Sequence, residues 1–116
     1  MRFSEEQKGH VMVLQLDGKI MGGPPTKSLC NRMGELLKND HLQLVLDFSK
    51  VQWINSAGIG TIIGCLNAMR QKGGDIRFAN VHDTTEHCFH ITKIDTIVEM
   101  FESVDDAVAS FMVAMK

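Results

Sequence analysis

At 116 residues, with 44% hydrophobic and 22% charged residues, the chain suits one domain with its own apolar core and is too apolar throughout for a disordered tail. A net charge of −2 with scattered Lys and Arg argues against a nucleic-acid partner held by phosphate neutralisation. Residues 1–10 (MRFSEEQKGH) hold no apolar signal core, and no apolar run approaches the roughly 20 residues that span a bilayer, so a cytoplasmic location away from membranes is expected.

Cys30, Cys65 and Cys88 are odd in number, widely spaced and free of any CxxC. That disfavours a disulfide scaffold and a zinc ribbon; all three are expected as small core hydrophobes in a reducing compartment.

In chain order, Arg2–Gln7 is expected as an edge strand, turning at Lys8-Gly9 into a strand over Val11–Leu16 that closes at Asp17-Gly18. Gly22-Gly23-Pro24-Pro25 is the strongest punctuation in the chain and is expected as a loop. Thr26 or Ser28 then offers the N-cap of a helix that carries Leu29, Cys30, Met33, Leu36 and Leu37 at helical spacing and stops at Asn39-Asp40. Leu42–Phe48 contains the continuous run Leu44-Val45-Leu46, apolar on both faces and so suited to a central parallel strand. Val51–Ile54 leads through Asn55-Ser56-Ala57-Gly58 into a helix with Ile59, Ile62, Ile63, Leu66 and Met69 on one face, ended by Lys72-Gly73-Gly74. Asp75–Asn80 is expected as a strand, Asp83–His90 as a short helix and Ile97–Phe101 as a short strand. Ser103 caps a last helix with Val104, Ala107, Val108, Phe111, Met112 and Met115 on one face and Asp105 and Asp106 at its positive end. The order β-β-α-β-α-β-α-β-α predicts an α/β fold: a mixed, mostly parallel sheet of four or five strands with about four α-helices.

In such a sheet, partners gather beyond the carboxyl ends of the strands. Two loops are expected to reach that edge, Gly18–Pro25 and Val51–Gly58. Asn55 or Ser56 can cap the helix that follows, while the small Ala57, Gly58 and Gly60 let a visiting surface approach the backbone. A phosphate on Ser56 would sit at the positive end of that helix and reverse the charge of a small patch.

Leu44-Val45-Leu46-Asp47-Phe48, followed by Val51 and by Ile54-Asn55-Ser56-Ala57-Gly58-Ile59-Gly60, resembles the signature of the STAS family: an apolar strand ending in Asp, then Asp-Ser-Ser/Thr-Gly-Leu/Ile-Gly opening a helix. Leu16-Asp17-Gly18, the late Ile97-Val98 strand and the final helix fit as well, so the resemblance covers essentially residues 1–116 as one STAS-like (SpoIIAA-like) domain. It implies an anti-sigma factor antagonist that works by partner switching. Such a protein binds an anti-sigma factor serine kinase, is released when the kinase phosphorylates the serine matching Ser56, and is restored by a metal-dependent serine phosphatase. ATP would belong to the kinase. The chain itself would carry no cofactor, no metal and no catalytic residue, and would be a monomer or weak homodimer. The implied docking residues are Gly18, Ile20, Met21, Gly22, Gly23, Trp53, Asn55, Ser56, Ala57, Gly58, Ile59 and Gly60. Asn55 departs from the family's usual Asp, keeping shape and capping ability while losing charge.

Other readings compete. A non-phosphorylated scaffold subunit of the same fold would use the same edge for assembly. His82, His87, Cys88 and His90 form a loose candidate metal cluster that matches no standard zinc spacing. Gly58-x-Gly60-xxx-Gly64 departs from the dinucleotide fingerprint, and Ser56 lies outside any GxSxG elbow. Trp53 is expected in the core by its area, with a role as a surface anchor as the alternative.

Overall fold

The apolar runs assemble into one five-stranded sheet in the computed structural model, which describes residues 1–114. The strands lie in chain order: β1 (Arg2–Lys8), β2 (Val11–Ile20), β3 (Gln43–Ile54), β4 (Asp75–Ala79) and β5 (Met100–Phe101). β1 and β2 form an antiparallel hairpin; every other neighbouring pair is parallel. Parallel neighbours need crossovers, and α1 (Gly23–Lys38), α2 (Ser56–Gln71) and α3 (Asp83–Ile91) supply them, with a 3-10 turn at Ile94–Thr96 before β5 and α4 (Val104–Ala114) closing the fold.

Leu44, Val45 and Leu46 are each 0% exposed, as a strand covered on both faces requires. The pleat divides them. Leu44, Leu46 and Phe48 join Leu14 and Leu16 against Leu29, Met33 and Leu36 of α1, Ile62 and Leu66 of α2, and Phe89 of α3. Val45 joins Val11, Val13 and Ala79 against Ala107, Val108 and Phe111 of α4. Phe48, Phe78 and Phe89 form a triangle of tilted and edge-on rings with centroids 4.8 to 5.3 Å apart.

Several elements differ from the sequence expectation, each for a tertiary reason. β2 does not close at Asp17-Gly18. It continues to Ile20 because β3 offers partners that far, Gly18 pairing with Val51 and Ile20 with Ile54. Register shifts on either side of Asp17-Gly18, with Gly18 at φ 99°, absorb the turn-like dipeptide as an irregularity in the ladder. Val51–Ile54 is likewise the end of β3 and not a loop. α1 starts at Gly23, before the prolines, which occupy the first turn, where a missing N–H costs nothing. Gly22, at φ 80°, is its N-cap; Thr26 is buried, and its Oγ1 accepts from the Gly22 amide at 3.1 Å. β5 shrinks to Met100–Phe101, leaving Ile97 exposed. Ser103 does cap α4, accepting from the Asp106 amide at 3.1 Å, but Met112 points to solvent and Met115 lies outside the described residues. The three cysteines are half-buried instead of sealed in the core.

Candidate functional site

β2 and β3 end together at Ile20 and Ile54, and the chain leaves each strand at the same edge. From β3 it enters α2 at once. Asn55 is the N-cap: its backbone is extended (φ −111°, ψ 178°), and its Oδ1 accepts from the Gly58 amide at 2.9 Å. Its Nδ2 donates to the Met21 carbonyl at 3.2 Å, and its own backbone N–H donates to the Ile20 carbonyl at 3.1 Å. One side chain therefore fastens the start of α2 to the exit of β2, and the two edge segments become one unit.

Gly58 makes that closeness possible. A Cβ placed there would stand 2.4 Å from the Ile20 carbonyl oxygen and 2.8 Å from Ile20 Cγ2. A Cβ on Gly22 would meet Ala57 Cβ at 3.0 Å, so the start of α1 also rests against the first turn of α2. Gly60, by contrast, has nothing within 4 Å of its missing Cβ.

Ser56 is the first residue of α2 and is exposed. Because Asn55 supplies the capping oxygen, the Ser56 hydroxyl is not spent on that task. The first turn of α2 contains no acidic residue, so its positive end is not neutralised from within. Where β2 and β3 end, Met21 is 48% and Trp53 46% exposed. Trp53 thus belongs to the surface and not to the core, because the pleat that buries Ile54 turns its neighbour outward.

The candidate docking residues divide by depth. Met21, Gly23, Trp53, Ser56, Ala57 and Gly60 are exposed; Gly18, Gly22 and Asn55 are half-buried; Ile20, Gly58 and Ile59 are buried and shape the edge from beneath.

Sequence reasoning gave Asp47 no structural part. It is 5% exposed and accepts from Asn80 Nδ2 at 2.9 Å, the Ser49 amide at 2.9 Å and Gln15 Nε2 at 3.3 Å, tying β2, β3 and the end of β4 together below the edge. Burial opposes its ionisation, but these donors outweigh burial and hold the carboxyl below the usual carboxylate range. The signal was a single charge inside an apolar run, which calls for buried donors.

The histidines do not converge. His87 and His90 are exposed, His90 Nδ1 lies 3.2 Å from Asp95 Oδ2, and Cys88 Sγ faces the Ile54 carbonyl at 3.5 Å. Among the described residues no group of three or more His, Cys, Asp or Glu is placed to hold a metal, and no helix is long and apolar enough to cross a membrane.

A hairpin followed by parallel strands, with a helix opening at Ser56 after the central strand, is the arrangement that the STAS resemblance implied. The sequence model of that family matches residues 2–107, and the chain belongs to the STAS family. Over 73 residues it is 26% identical to a protein of Thermotoga neapolitana described as a candidate anti-sigma factor antagonist; the aligned stretch covers 63% of this chain and 65% of that relative, just under two thirds of its length. Among solved structures, a candidate anti-sigma factor antagonist from Thermotoga maritima superposes with a TM-score of 0.86 at 19% identity, covering 93% of this chain and 92% of that one. The Bacillus cell-fate determinant SpoIIAA in its phosphorylated form superposes with a TM-score of 0.76 at 14% identity, covering 95% and 99%. At these identities the superpositions establish the fold.

Proposed function

We propose that this STAS domain is an anti-sigma factor antagonist: a non-enzymatic, cytoplasmic binding module whose edge docks an anti-sigma factor that is also a serine kinase, and which phosphorylation of Ser56 releases. The observation that carries this reading is the placement of Ser56, exposed on the first turn of α2 with the capping role taken by Asn55. The descriptions of the relatives point the same way.

In the docked state a neutral hydroxyl meets the partner, and the exposed Trp53 and Met21 of the same strand ends are residue types suited to anchoring an interface. The kinase transfers the γ-phosphoryl of its own ATP to Ser56 Oγ, and the serine proton is lost. The product carries about −1.5 to −2 charge at neutral pH. That charge is welcome at the helix end but not in an interface built around a neutral hydroxyl, where repulsion and uncompensated desolvation drive the partners apart. A serine phosphatase then hydrolyses the ester and restores the docking form.

The test is incubation of the purified chain with ATP and the serine-kinase anti-sigma factor of the same genome, with the modified residue located by mass spectrometry. One phosphoryl group on Ser56 is expected, together with roughly thirtyfold or greater weakening of the complex by Ser56→Asp. Modification at another residue, or affinity unchanged by Ser56→Asp, overturns the mechanism. The exposed Trp53 and Met21 also suit a scaffold subunit that is never phosphorylated; a large homomeric assembly in light scattering, intact in the Ser56→Asp variant, would support it.

A further inference from the structure

Helices α1 and α2 pack side by side, and each turns a cysteine toward the other. The Sγ atoms of Cys30 and Cys65 are 3.3 Å apart although the residues are 35 positions apart in the chain. Both thiols are half-buried and line an open, mainly apolar cavity of about 380 Å³ between the helices. Gly34 and Gly64 border the same cavity, and neither has an atom within 4 Å of its missing Cβ. A small oxidant can therefore reach the sulfurs. Side-chain rotation and a slight approach of the helices can close the remaining gap to a covalent S–S distance of about 2.05 Å. Cys88 stands elsewhere, with its sulfur facing the Ile54 carbonyl at 3.5 Å.

We propose that Cys30 and Cys65 are a reversible redox pair, joined by peroxide into an intramolecular disulfide that staples α1 to α2. In the first step a thiolate attacks hydrogen peroxide: the O–O bond breaks, the sulfur becomes a sulfenic acid, and the displaced hydroxide takes up the proton the thiol had released and leaves as water. In the second, the other thiol attacks that sulfur, the S–O bond breaks, and its proton leaves with the hydroxyl as a second water. Each cysteine gives up one electron to the two-electron reduction of peroxide. A dithiol reverses the bond by exchange and becomes a disulfide itself. Burial, with the hydrogen bond shared with Cys30, pushes the Cys65 thiol up to about 12; either sulfur can take the first oxidation, and its neighbour 3.3 Å away resolves it.

The staple acts where α1 begins. Gly22 lies against Ala57 of α2, so a bond between the two helices restrains α1 from swinging away from that contact. The consequence for a docked partner rests on the docking role proposed above, whereas the bond itself does not.

The full chain is treated with hydrogen peroxide, alkylated, and mapped without reduction. Before alkylation the expected mass is about 2 Da below that of the reduced chain, from the two hydrogens lost. A single alkylatable thiol should remain, at Cys88, and the Cys30 peptide should be linked to the Cys65 peptide. The melting temperature should rise by about 10 °C, and dithiothreitol should reverse the rise. Amide exchange across 22–38 should slow in the oxidised form. C30S and C65S should lose both the cross-link and the shift. Three alkylatable thiols after peroxide, a sulfinic acid on Cys30, or a bond involving Cys88 or a second chain overturns the proposal. Since these readouts need no docking partner, a failure here leaves the docking mechanism standing, and a docking failure leaves the redox pair standing.

Discussion

Two glycines two positions apart on α2 should respond to alanine with opposite signs. Replacing Gly with Ala inside a helix ordinarily stabilises by about 0.5–1 kcal/mol, because the unfolded chain has less freedom to lose. Gly60 has no atom within 4 Å of the new methyl, so Gly60→Ala should realise that gain. At Gly58 the same methyl would stand 2.4 Å from the Ile20 carbonyl oxygen, a backbone atom paired with the Asn55 N–H and unable to rotate away. Relief requires lifting the first turn of α2 off β2. Overpacking strain of that kind costs about 1–3 kcal/mol, and the strained Asn55–Ile20 hydrogen bond adds about 1 kcal/mol. After the propensity gain is subtracted, Gly58→Ala should lose about 1–3 kcal/mol, a fall in Tm of about 4 °C for each kcal/mol in a domain of this size. Urea titration and calorimetry of both variants against wild type measure the difference. If Gly58→Ala is as stable as Gly60→Ala, the close approach of α2 to β2 is refuted, and with it the account of how Asn55 and Ser56 are held.

Asn55→Ala removes the acceptor for Gly58 and the donor to Met21 and should cost about 1–2 kcal/mol in urea unfolding. Asn55→Asp keeps the cap and gains about 0.3–1 kcal/mol from the helix dipole, so despite losing the donor it should stay nearer wild type than the alanine variant. Ser56→Asp should raise stability by about 0.3–1 kcal/mol, less in high salt, since it adds the only acidic side chain to that turn; a clear destabilisation would mean that the hydroxyl has a structural task. The folded value of Asp47 lies below its unfolded one, so its contribution is complete above the unfolded pKa and fades as pH falls through the lowered folded value. Asp47→Asn should therefore be less stable than wild type near neutrality by about 1–3 kcal/mol, with the gap narrowing under acid in a pH series of urea melts.

Much of the fold was legible because it follows from local pattern. Leu44-Val45-Leu46 reads as a strand covered on both faces, and the spacing of Ile59, Ile62, Leu66 and Met69 reads as one buried side of a helix, as the structure has them. What the chain concealed depends on neighbours distant in sequence. Asp17-Gly18 reads as a turn until β3 supplies a backbone partner for Gly18 at Val51. Gly-Gly-Pro-Pro reads as a loop until one asks which N–H groups a helix can spare, and the answer is the first turn. Trp53 reads as core by area, yet its strand buries Ile54, so the pleat sends the indole outward. The choice between Asn55 and Ser56 as cap was open because both side chains can accept; the Met21 carbonyl decided it, and that contact spans 34 positions.

An amide suits position 55 better than a carboxylate for a reason found in the geometry. The residue must accept from Gly58 and donate to Met21 at the same moment. Aspartate can do only the first and would set an anionic oxygen against a carbonyl. Asparagine does both, and it also leaves the positive end of α2 without a neighbouring negative charge. On the proposed mechanism that neutrality matters twice. The first turn of α2 presents no carboxylate that a partner must desolvate, and a phosphate on Ser56 would be the first anion on that turn. The departure from the usual Asp therefore preserves the local architecture while changing the electrostatics against which a phosphoryl group arrives. On that mechanism one hydrogen-bond pattern around Asn55 holds the backbone while one exposed hydroxyl would carry the signal.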